Sequence, residues 1–167
     1  MSAAVRAAII TISSSRAAGG GEDESGQRLA ELAERIGAQV AGRELIPDDR
    51  AAIERSLRRW VAAEVCALVL TTGGTGLAPG DVTPEATRAV IEREAPGIAE
   101  AMRAASRAHT PHWMLSRGLA GAAGATLIVN FPGSPRSIEQ CGEALAGALP
   151  HALALLAGER VAHRESC

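Results

Sequence analysis

The sequence predicts an α/β protein of three layers (α/β/α), in which helices cover both faces of a mostly parallel, doubly wound sheet that includes a small β-hairpin. Short apolar segments rich in Val, Ile and Leu alternate with longer segments whose apolar residues recur at the helical period. The length of 167 residues suits one domain with its own core. Since no internal repeat or long linker divides the chain, we expect a single domain over residues 1–167, with its core at about residues 5–158 and a polar C-terminal tail.

The N-terminal part of the chain predicts two strands and two helices. Residues 5–12 are apolar and contain Val and Ile, as buried strands do. A loop rich in Ser and Gly follows at residues 13–21. A helix is predicted around residues 29–36, where apolar residues recur at positions i, i+3, i+4 and i+7. Residues 38–46 predict a more polar strand near a sheet edge, and Pro47-Asp48-Asp49 opens the second helix.

A central parallel strand is predicted next. Residues 65–72 are apolar on both faces, as a strand covered by helices on both sides requires. Three helix-start signals then coincide at Thr83-Pro84-Glu85: a hydroxyl cap, a Pro at the first helical position and an acid in the first turn. A further helix is expected over residues 97–106.

The C-terminal part of the chain predicts a hairpin and a long helix. Apolar pieces around Leu119 and at residues 126–131 flank Gly121-Ala122-Ala123-Gly124, a pattern typical of a hairpin. Ser134-Pro135 starts the helix, which Pro150 is expected to kink or interrupt.

The composition excludes several classes of function. The chain has 17 Arg and no Lys, which excludes a Walker-type phosphate loop, a Schiff-base enzyme and a lysine nucleophile. The net charge of −2 and the presence of only two Trp and one Phe argue against nucleic-acid binding. No apolar run reaches the roughly 18–20 residues of a membrane span, and the three cysteines lack paired or metal-like spacing. We therefore expect a cytoplasmic protein that binds neither nucleic acid nor membranes.

Polar turns follow the predicted strands, where open α/β sheets bind their ligands. Gly73-Gly74-Thr75-Gly76 presents consecutive backbone N–H groups without Cβ obstruction, an arrangement that binds anions, although it could also be an ordinary tight turn. Pro132-Gly133-Ser134 either faces a phosphate with the first amides of the long helix or simply caps that helix. The predicted nucleotide- and phosphate-binding residues are Ser13, Thr72, Gly73, Gly74, Thr75, Gly76, Pro132, Gly133 and Ser134.

Two carboxylates are candidates for a metal site. The chain has four Asp residues, and Asp48 and Asp81 follow the second strand and the glycine turn. Each by itself could be an N-cap or a turn residue. Beside phosphate-binding glycines the pair could instead hold Mg²⁺, whose usual partners are one or two carboxylates and substrate phosphates. That arrangement suits phosphoryl or nucleotidyl transfer without a lysine, because the metal neutralises the developing charge.

Three further polar residues are candidates for anion or substrate contacts. Arg136 could make a charge-assisted contact with a phosphate beside the Ser134 turn. Ser116-Arg117 is polar within apolar surroundings, and the alternative is a surface turn. We assign no metal ligand among the histidines, since His109 and His112 have a spacing that suits a zinc site poorly.

Several of these motifs, taken together, closely resemble the molybdenum-cofactor biosynthesis proteins of the Mog/MoaB type. The most specific ones are Thr71-Thr72-Gly73-Gly74-Thr75-Gly76, Asp81-Val82-Thr83-Pro84-Glu85-Ala86 and Pro132-Gly133-Ser134-Pro135. Weaker matches are Ser13-Ser14-Ser15-Arg16, Ile46-Pro47-Asp48 and Leu115-Ser116-Arg117. The similarity runs from about Val5 to Gly158. It departs from the family where an Asp common after the first strand is replaced within Ser13-Ser14-Ser15.

This resemblance implies a molybdopterin-binding-domain fold and molybdopterin adenylyltransferase activity. In that reaction the terminal phosphate of molybdopterin attacks the α-phosphate of ATP and releases pyrophosphate, with Mg²⁺ required. The resemblance places the catalytic, metal-binding pair at Asp48 and Asp81 and the ligand cleft at the two turns. We predict contacts with molybdopterin from Ser116, Arg117 and Arg136. A homo-oligomer is implied, either a trimer or a hexamer, and other enzymes of the molybdenum-cofactor pathway are candidate partners.

Two other functions are weighed against this one. A non-catalytic molybdopterin-binding oligomer of the MoaB type would bind the same pterin without releasing pyrophosphate. A flavodoxin-like mononucleotide binder is less favoured, because flavin sites usually stack the ring on aromatic side chains and this chain has very few.

Overall fold

A six-stranded sheet runs through the centre of the part of the chain that the structure describes. The computed structural model describes residues 4–62 and 66–159. The strands are β1 (Arg6–Ile12), β2 (Gln39–Ile46), β3 (Leu68–Thr72), β4 (Arg93–Glu94), β5 (Ala120–Ala123) and β6 (Thr126–Phe131). Their order is β2-β1-β3-β6-β5-β4. The first four run parallel, and the β6-β5 and β5-β4 pairs are antiparallel. This confirms the predicted fold class and the edge position of the second strand.

Helices pack on both faces of the sheet. They are α1 (Ser14–Ala17), α2 (Glu24–Arg35), α3 (Arg50–Ala62), α4 (Thr83–Arg88), α5 (Pro96–Ser106), a 3₁₀ helix (Pro111–Leu115), α6 (Pro135–Leu145) and α7 (Leu149–Leu156). Successive residues of a strand point to opposite faces, so the sheet has two cores. Ile9 and Leu70 lie in the core with α2, α5, α6 and α7, whereas Ile10 and Val69 lie in the core with α3 and α4.

The hairpin and the helix break are confirmed, with shifted boundaries. The hairpin turn lies at Gly124-Ala125, so that residues 121–123 belong to β5. The predicted long helix is two helices, and Pro150 lies in the first turn of α7. The strand predicted at residues 65–72 begins at Leu68, and Val65 and the polar tail beyond residue 159 lie outside the described residues.

Two local expectations are wrong. The loop predicted at residues 13–21 contains the short helix α1, whose N-cap is Ser13. The hydroxyl cap expected at Thr83 does not form, because Val82 occupies the N-cap position and Thr83 is fully buried. A buried hydroxyl needs a hydrogen-bond partner, and that of Thr83 donates to the carbonyl oxygen of Gly73 at 2.9 Å.

One carboxylate fastens the edge strand β2 to α3. Glu44 accepts hydrogen bonds from Ser56 Oγ and Trp60 Nε1, both at 2.7 Å, and pairs with Arg59. Burial by itself raises the pKa of Glu44, but the hydrogen bonds from these three side chains and the charge of Arg59 outweigh it and hold the pKa below its ordinary value. The ionised form of Glu44 therefore stabilises this edge of the sheet.

The C-terminal ends of the parallel strands meet at one edge of the sheet. In the register of the ladder, Ile12 pairs with Ile46, and Thr72 pairs with Thr11 on one side and Phe131 on the other. The turns that follow these strands are therefore neighbours in space, although more than 100 residues of chain separate the first from the last.

Candidate active site

The glycine turn after β3 is wedged between the ends of β1 and β6. Gly73 has φ +96°, and a Cβ at this position would collide with the carbonyl oxygen of Ile12. Thr72 Oγ1 donates to the carbonyl oxygen of Pro132 at 2.7 Å, which fastens the turn to the Pro132-Gly133-Ser134 loop. Only a glycine fits at Gly73, because both the close approach and the left-handed backbone exclude a side chain.

The carbonyl groups of this turn all point into the protein. Those of Gly73 and Gly74 accept from the hydroxyl and the N–H of Thr83, and that of Thr75 accepts from the N–H of Arg117 at 2.7 Å. Within residues 4–62 and 66–159, the N–H groups of Gly74, Thr75 and Gly76 have no acceptor. Backbone donors gathered in this way form a concavity that binds anions.

Asp48 is held beside the turn through one of its two carboxylate oxygens. Its Oδ2 accepts from the N–H of Ser14 at 2.8 Å and from the hydroxyl of Ser14 at 2.9 Å, and the same hydroxyl accepts from the N–H of Asp48. Oδ1 lies 3.3 Å from the position that a Cβ on Gly74 would occupy. Asp48 does not cap α3, since Asp49 does so by accepting from the N–H of Ala52 at 2.7 Å.

Asp81 lies at the other end of the same turn. Its Oδ2 accepts from the N–H of Ala78 at 3.0 Å and lies 2.8 Å from the position of a Cβ on Gly76. The N–H of Asp81 also donates to the carbonyl oxygen of Ala78 at 2.9 Å. Asp81 is therefore a turn residue as well as a carboxylate at the site. The two aspartates flank the N–H groups of the turn, one beside Gly74 and one beside Gly76.

The loop after β6 completes this edge of the sheet. Ser25, at the start of α2, donates to the carbonyl oxygen of Gly133 at 2.8 Å. Ser134 caps α6 as predicted, and its hydroxyl accepts from the N–H of Ser137 at 3.1 Å.

Two other predicted site residues lie near this edge. Ser13, directly after β1, is held by a hydrogen bond from its N–H to the carbonyl oxygen of Ile46 at 2.9 Å. Arg136 is exposed and has no ion-pair partner in the described part of the chain.

A cavity of about 240 Å³ opens beside this loop, between α5 and α6. Met102, Trp113 and Pro132 contribute apolar walls, and Arg103, Ser116 and Ser137 contribute polar groups. The Nη1 atom of Arg103 lies 3.4 Å from the carbonyl oxygen of Ser116. Ser116 was predicted to contact substrate, and it lines this cavity.

Two further residues that build the site were not among those predicted from the sequence. Ser14 orients Asp48, and its only signal was its place in the serine run. Asn130 donates from Nδ2 to the hydroxyls of Thr71 and Thr87 at 3.0 and 2.9 Å, and so fastens α4 beneath the glycine turn. Its signal was an amide in an otherwise apolar strand, because a fully buried amide must be hydrogen-bonded.

Fold and site together define a class of protein: a doubly wound α/β protein that combines an anion-binding turn with two carboxylates at the C-terminal edge of its sheet. A protein-family model described as "Probable molybdopterin binding domain" matches residues 8–151. The chain belongs to this family, as its motifs predicted.

Individual proteins and solved structures that are similar to this chain support the family assignment. The molybdopterin adenylyltransferase of Helicobacter pylori is 44% identical over 115 residues, which are 69% of this chain and 65% of the relative. The Escherichia coli K12 protein of the same name is 50% identical over 96 residues, which are 58% of this chain and 49% of the relative. The chain thus spans about half to two thirds of the length of these curated relatives. The crystal structure of the molybdopterin biosynthesis enzyme MoaB from Thermus thermophilus has a TM-score of 0.87 at 44% identity, and the match covers 93% of this chain and 98% of that one.

Proposed function

We propose that this protein catalyses Mg²⁺-dependent transfer of the adenylyl group of ATP to the terminal phosphate of molybdopterin. The observation that carries the proposal is the pair of aspartates on either side of the glycine turn, each fixed by one carboxylate oxygen while the turn presents its N–H groups between them. The names of the relatives support the choice of reaction. An oxygen of the molybdopterin phosphate forms the new bond to the α-phosphorus, and the bond to the β-phosphate oxygen breaks to release pyrophosphate.

The chain must hold phosphates without lysine. Backbone N–H groups at Gly74, Thr75 and Gly76 would donate to phosphate oxygens, and since they are part of a rigid turn they need no reorganisation during the reaction. Ser134 and the first turn of α6 offer a second group of donors at the same edge. Arg136, exposed beside this turn, is our candidate for a charged phosphate contact.

The donor set at the turn fits Mg²⁺. Asp48 and Asp81 would hold the ion, each through the oxygen that the protein does not already engage. Two carboxylates with substrate phosphates and water are the usual surroundings of this cation. When bound, Mg²⁺ neutralises charge on the phosphates during the transfer.

We assign the cavity between α5 and α6 to the pterin ring. Its apolar walls and the ring of Trp113 suit a flat heterocycle, and Arg103, Ser116 and Ser137 provide polar partners at its rim. The cavity lies against Pro132, which joins it to the phosphate-binding loop, so a single ligand could occupy both.

The direct test is to incubate the purified protein with molybdopterin, ATP and Mg²⁺ and to measure pyrophosphate and adenylylated molybdopterin. We expect both products in equal amounts, and neither from molybdopterin that has lost its terminal phosphate. Tight binding of molybdopterin without release of pyrophosphate would refute the transferase and favour the non-catalytic binding protein.

We also propose a homo-oligomer, a trimer or a hexamer, that works in the cytoplasm beside other enzymes of the same pathway. Leu77, Met114 and Leu115 are 68%, 61% and 46% exposed and lie on two segments beside the site, which favours a contact with another subunit. Across the described residues, no helix has the length and apolar character needed to cross a bilayer. Sedimentation equilibrium tests the assembly, and a monomer at micromolar concentration would refute it.

A further inference from the structure

We propose that Arg117 is a positioning residue, which ties the wall of the cavity to the loop that carries Asp81, and that it does not contact substrate. This differs from the sequence-based prediction, which places Arg117 among the molybdopterin contacts. The inference rests on the proposed function, because it concerns how the two parts of that site are held together.

All three nitrogens of the Arg117 guanidinium are engaged by contacts within the protein. Nε donates to the carbonyl oxygen of Gly76 at 2.7 Å, Nη2 donates to the carbonyl oxygen of Asp81 at 2.7 Å, and Nη1 pairs with Glu85. The backbone N–H of Arg117 donates to Thr75 as well, at 2.7 Å. Arg117 therefore forms hydrogen bonds to both ends of the loop at residues 76–81.

That loop has little else to hold it. Residues 77–80 are exposed, and their hydrogen bonds in the described chain are those between Ala78 and Asp81. A planar guanidinium can hold two carbonyl groups and a carboxylate at fixed angles, whereas a lysine ammonium is a single flexible point charge. Arg117 thus fixes the backbone at Asp81, while the N–H of Ala78 holds its carboxylate.

Glu85 keeps the fork in place. It lies in the first turn of α4 and pairs with Nη1. The hydrogen bond from Arg117 lowers the pKa of Glu85, so this carboxyl stays ionised at neutral pH.

The neighbours of Arg117 face the other way. Ser116 and Gly118 line the cavity that we assign to the pterin, while the side chain between them enters the loop beside the glycine turn. The distance from the cavity wall to the Asp81 loop is therefore fixed through one three-residue segment. Errors of about 1 Å between reacting groups can cost on the order of 10²-fold in rate.

The test compares Arg117→Lys and Arg117→Gln with the control Arg35→Gln. Arg35 also pairs with a glutamate, Glu143, but this pair is exposed on the surface of α2 and α6, and neither residue is among those placed at the site. For both Arg117 variants we expect kcat to fall by roughly 10- to 10²-fold while KM for molybdopterin changes less than about threefold. Glu85→Gln should lower kcat in the same direction by a smaller factor. A rise in KM with kcat preserved would overturn the inference and restore Arg117 as a substrate contact.

Hydrogen exchange provides a readout that does not need turnover. We expect the two hydrogen-bonded amides of this loop, those of Ala78 and Asp81, to exchange at least about tenfold faster in both Arg117 variants. The exchange of β1 and β3 should be unchanged, as a folded variant requires. Unchanged exchange in the loop would overturn the inference. If the wild-type protein lacks transferase activity, the proposed function fails, but the exchange experiment still decides whether Arg117 holds the loop.

Discussion

A single methyl group at Gly74 should disrupt the anion-binding turn by a calculable amount. Gly74 has φ +64°, a backbone conformation that costs an L-residue about 1–2 kcal/mol. Its Cβ would overlap the hydroxyl of Thr83, which must then give up its hydrogen bond to Gly73, worth about 1 kcal/mol. Gly74→Ala should therefore lower the free energy of unfolding by about 2–3 kcal/mol and Tm by roughly 5–10 °C.

Gly80→Ala is the matched control for this change. Gly80 lies in the same segment between β3 and α4 and does not have a positive φ. A Cβ added there would meet no heavy atom within 4 Å. Both substitutions reduce the entropy of the unfolded chain equally, so that contribution cancels in the comparison. We expect Gly74→Ala to weaken ATP binding by at least about tenfold in calorimetric titration with Mg²⁺, because the new methyl group would distort the turn whose N–H groups we propose as phosphate donors. Equal stability and equal ATP affinity in the two variants would refute the reasoning.

Three further changes test the carboxylates. Asp81→Asn should lower turnover by a factor on the order of 10² or more. The control is Asp49→Asn, which keeps the cap of α3 and should leave turnover unchanged. Equal losses in the two variants would contradict a catalytic role for Asp81. Ser14→Ala should raise the Mg²⁺ concentration for half-maximal activity severalfold, because Asp48 loses the hydroxyl that orients it. An unaltered Mg²⁺ dependence would contradict this role of Ser14. Glu44→Gln should remove stability that the wild type has above about pH 4.5. The wild type loses that stability as pH falls through the lowered pKa of Glu44, so urea unfolding should show the two proteins converging in acid.

Much of the fold followed from local pattern. The apolar runs at β1 and β3 and the helical spacing in α2 and α3 were sufficient to predict a doubly wound sheet, because strands covered on both faces are apolar throughout and the covering helices have one apolar face. The two-residue strand β4 and the one-turn helix α1 were not predicted, since segments this short complete no period. The hydroxyl of Thr83 was misassigned, because a capping signal and a buried hydroxyl look alike in sequence.

The candidate site shows the same division. Asp48, Asp81 and the glycine turn were proposed as site residues from residue type and spacing, and the structure brings them together at one edge of the sheet. Ser14 was not found, because its partner Asp48 lies 34 positions away and the contact exists only once β1 and β2 pair in register.

The longer strands and helices could be placed from the sequence alone, and the turns after β3 and β6 could be proposed as anion sites, because backbone preference and burial period are local properties. Tertiary structure alone decided what each polar side chain contacts. Arg117 has the chemistry to bind a phosphate, yet it faces Gly76, Asp81 and Glu85, since the antiparallel placement of β5 against β6 brings its segment alongside the loop. The cavity beside Pro132 likewise exists only because α5, the 3₁₀ helix and α6 meet there. Strand order and register determine which residues a side chain contacts, and neither can be predicted from a short segment of the chain.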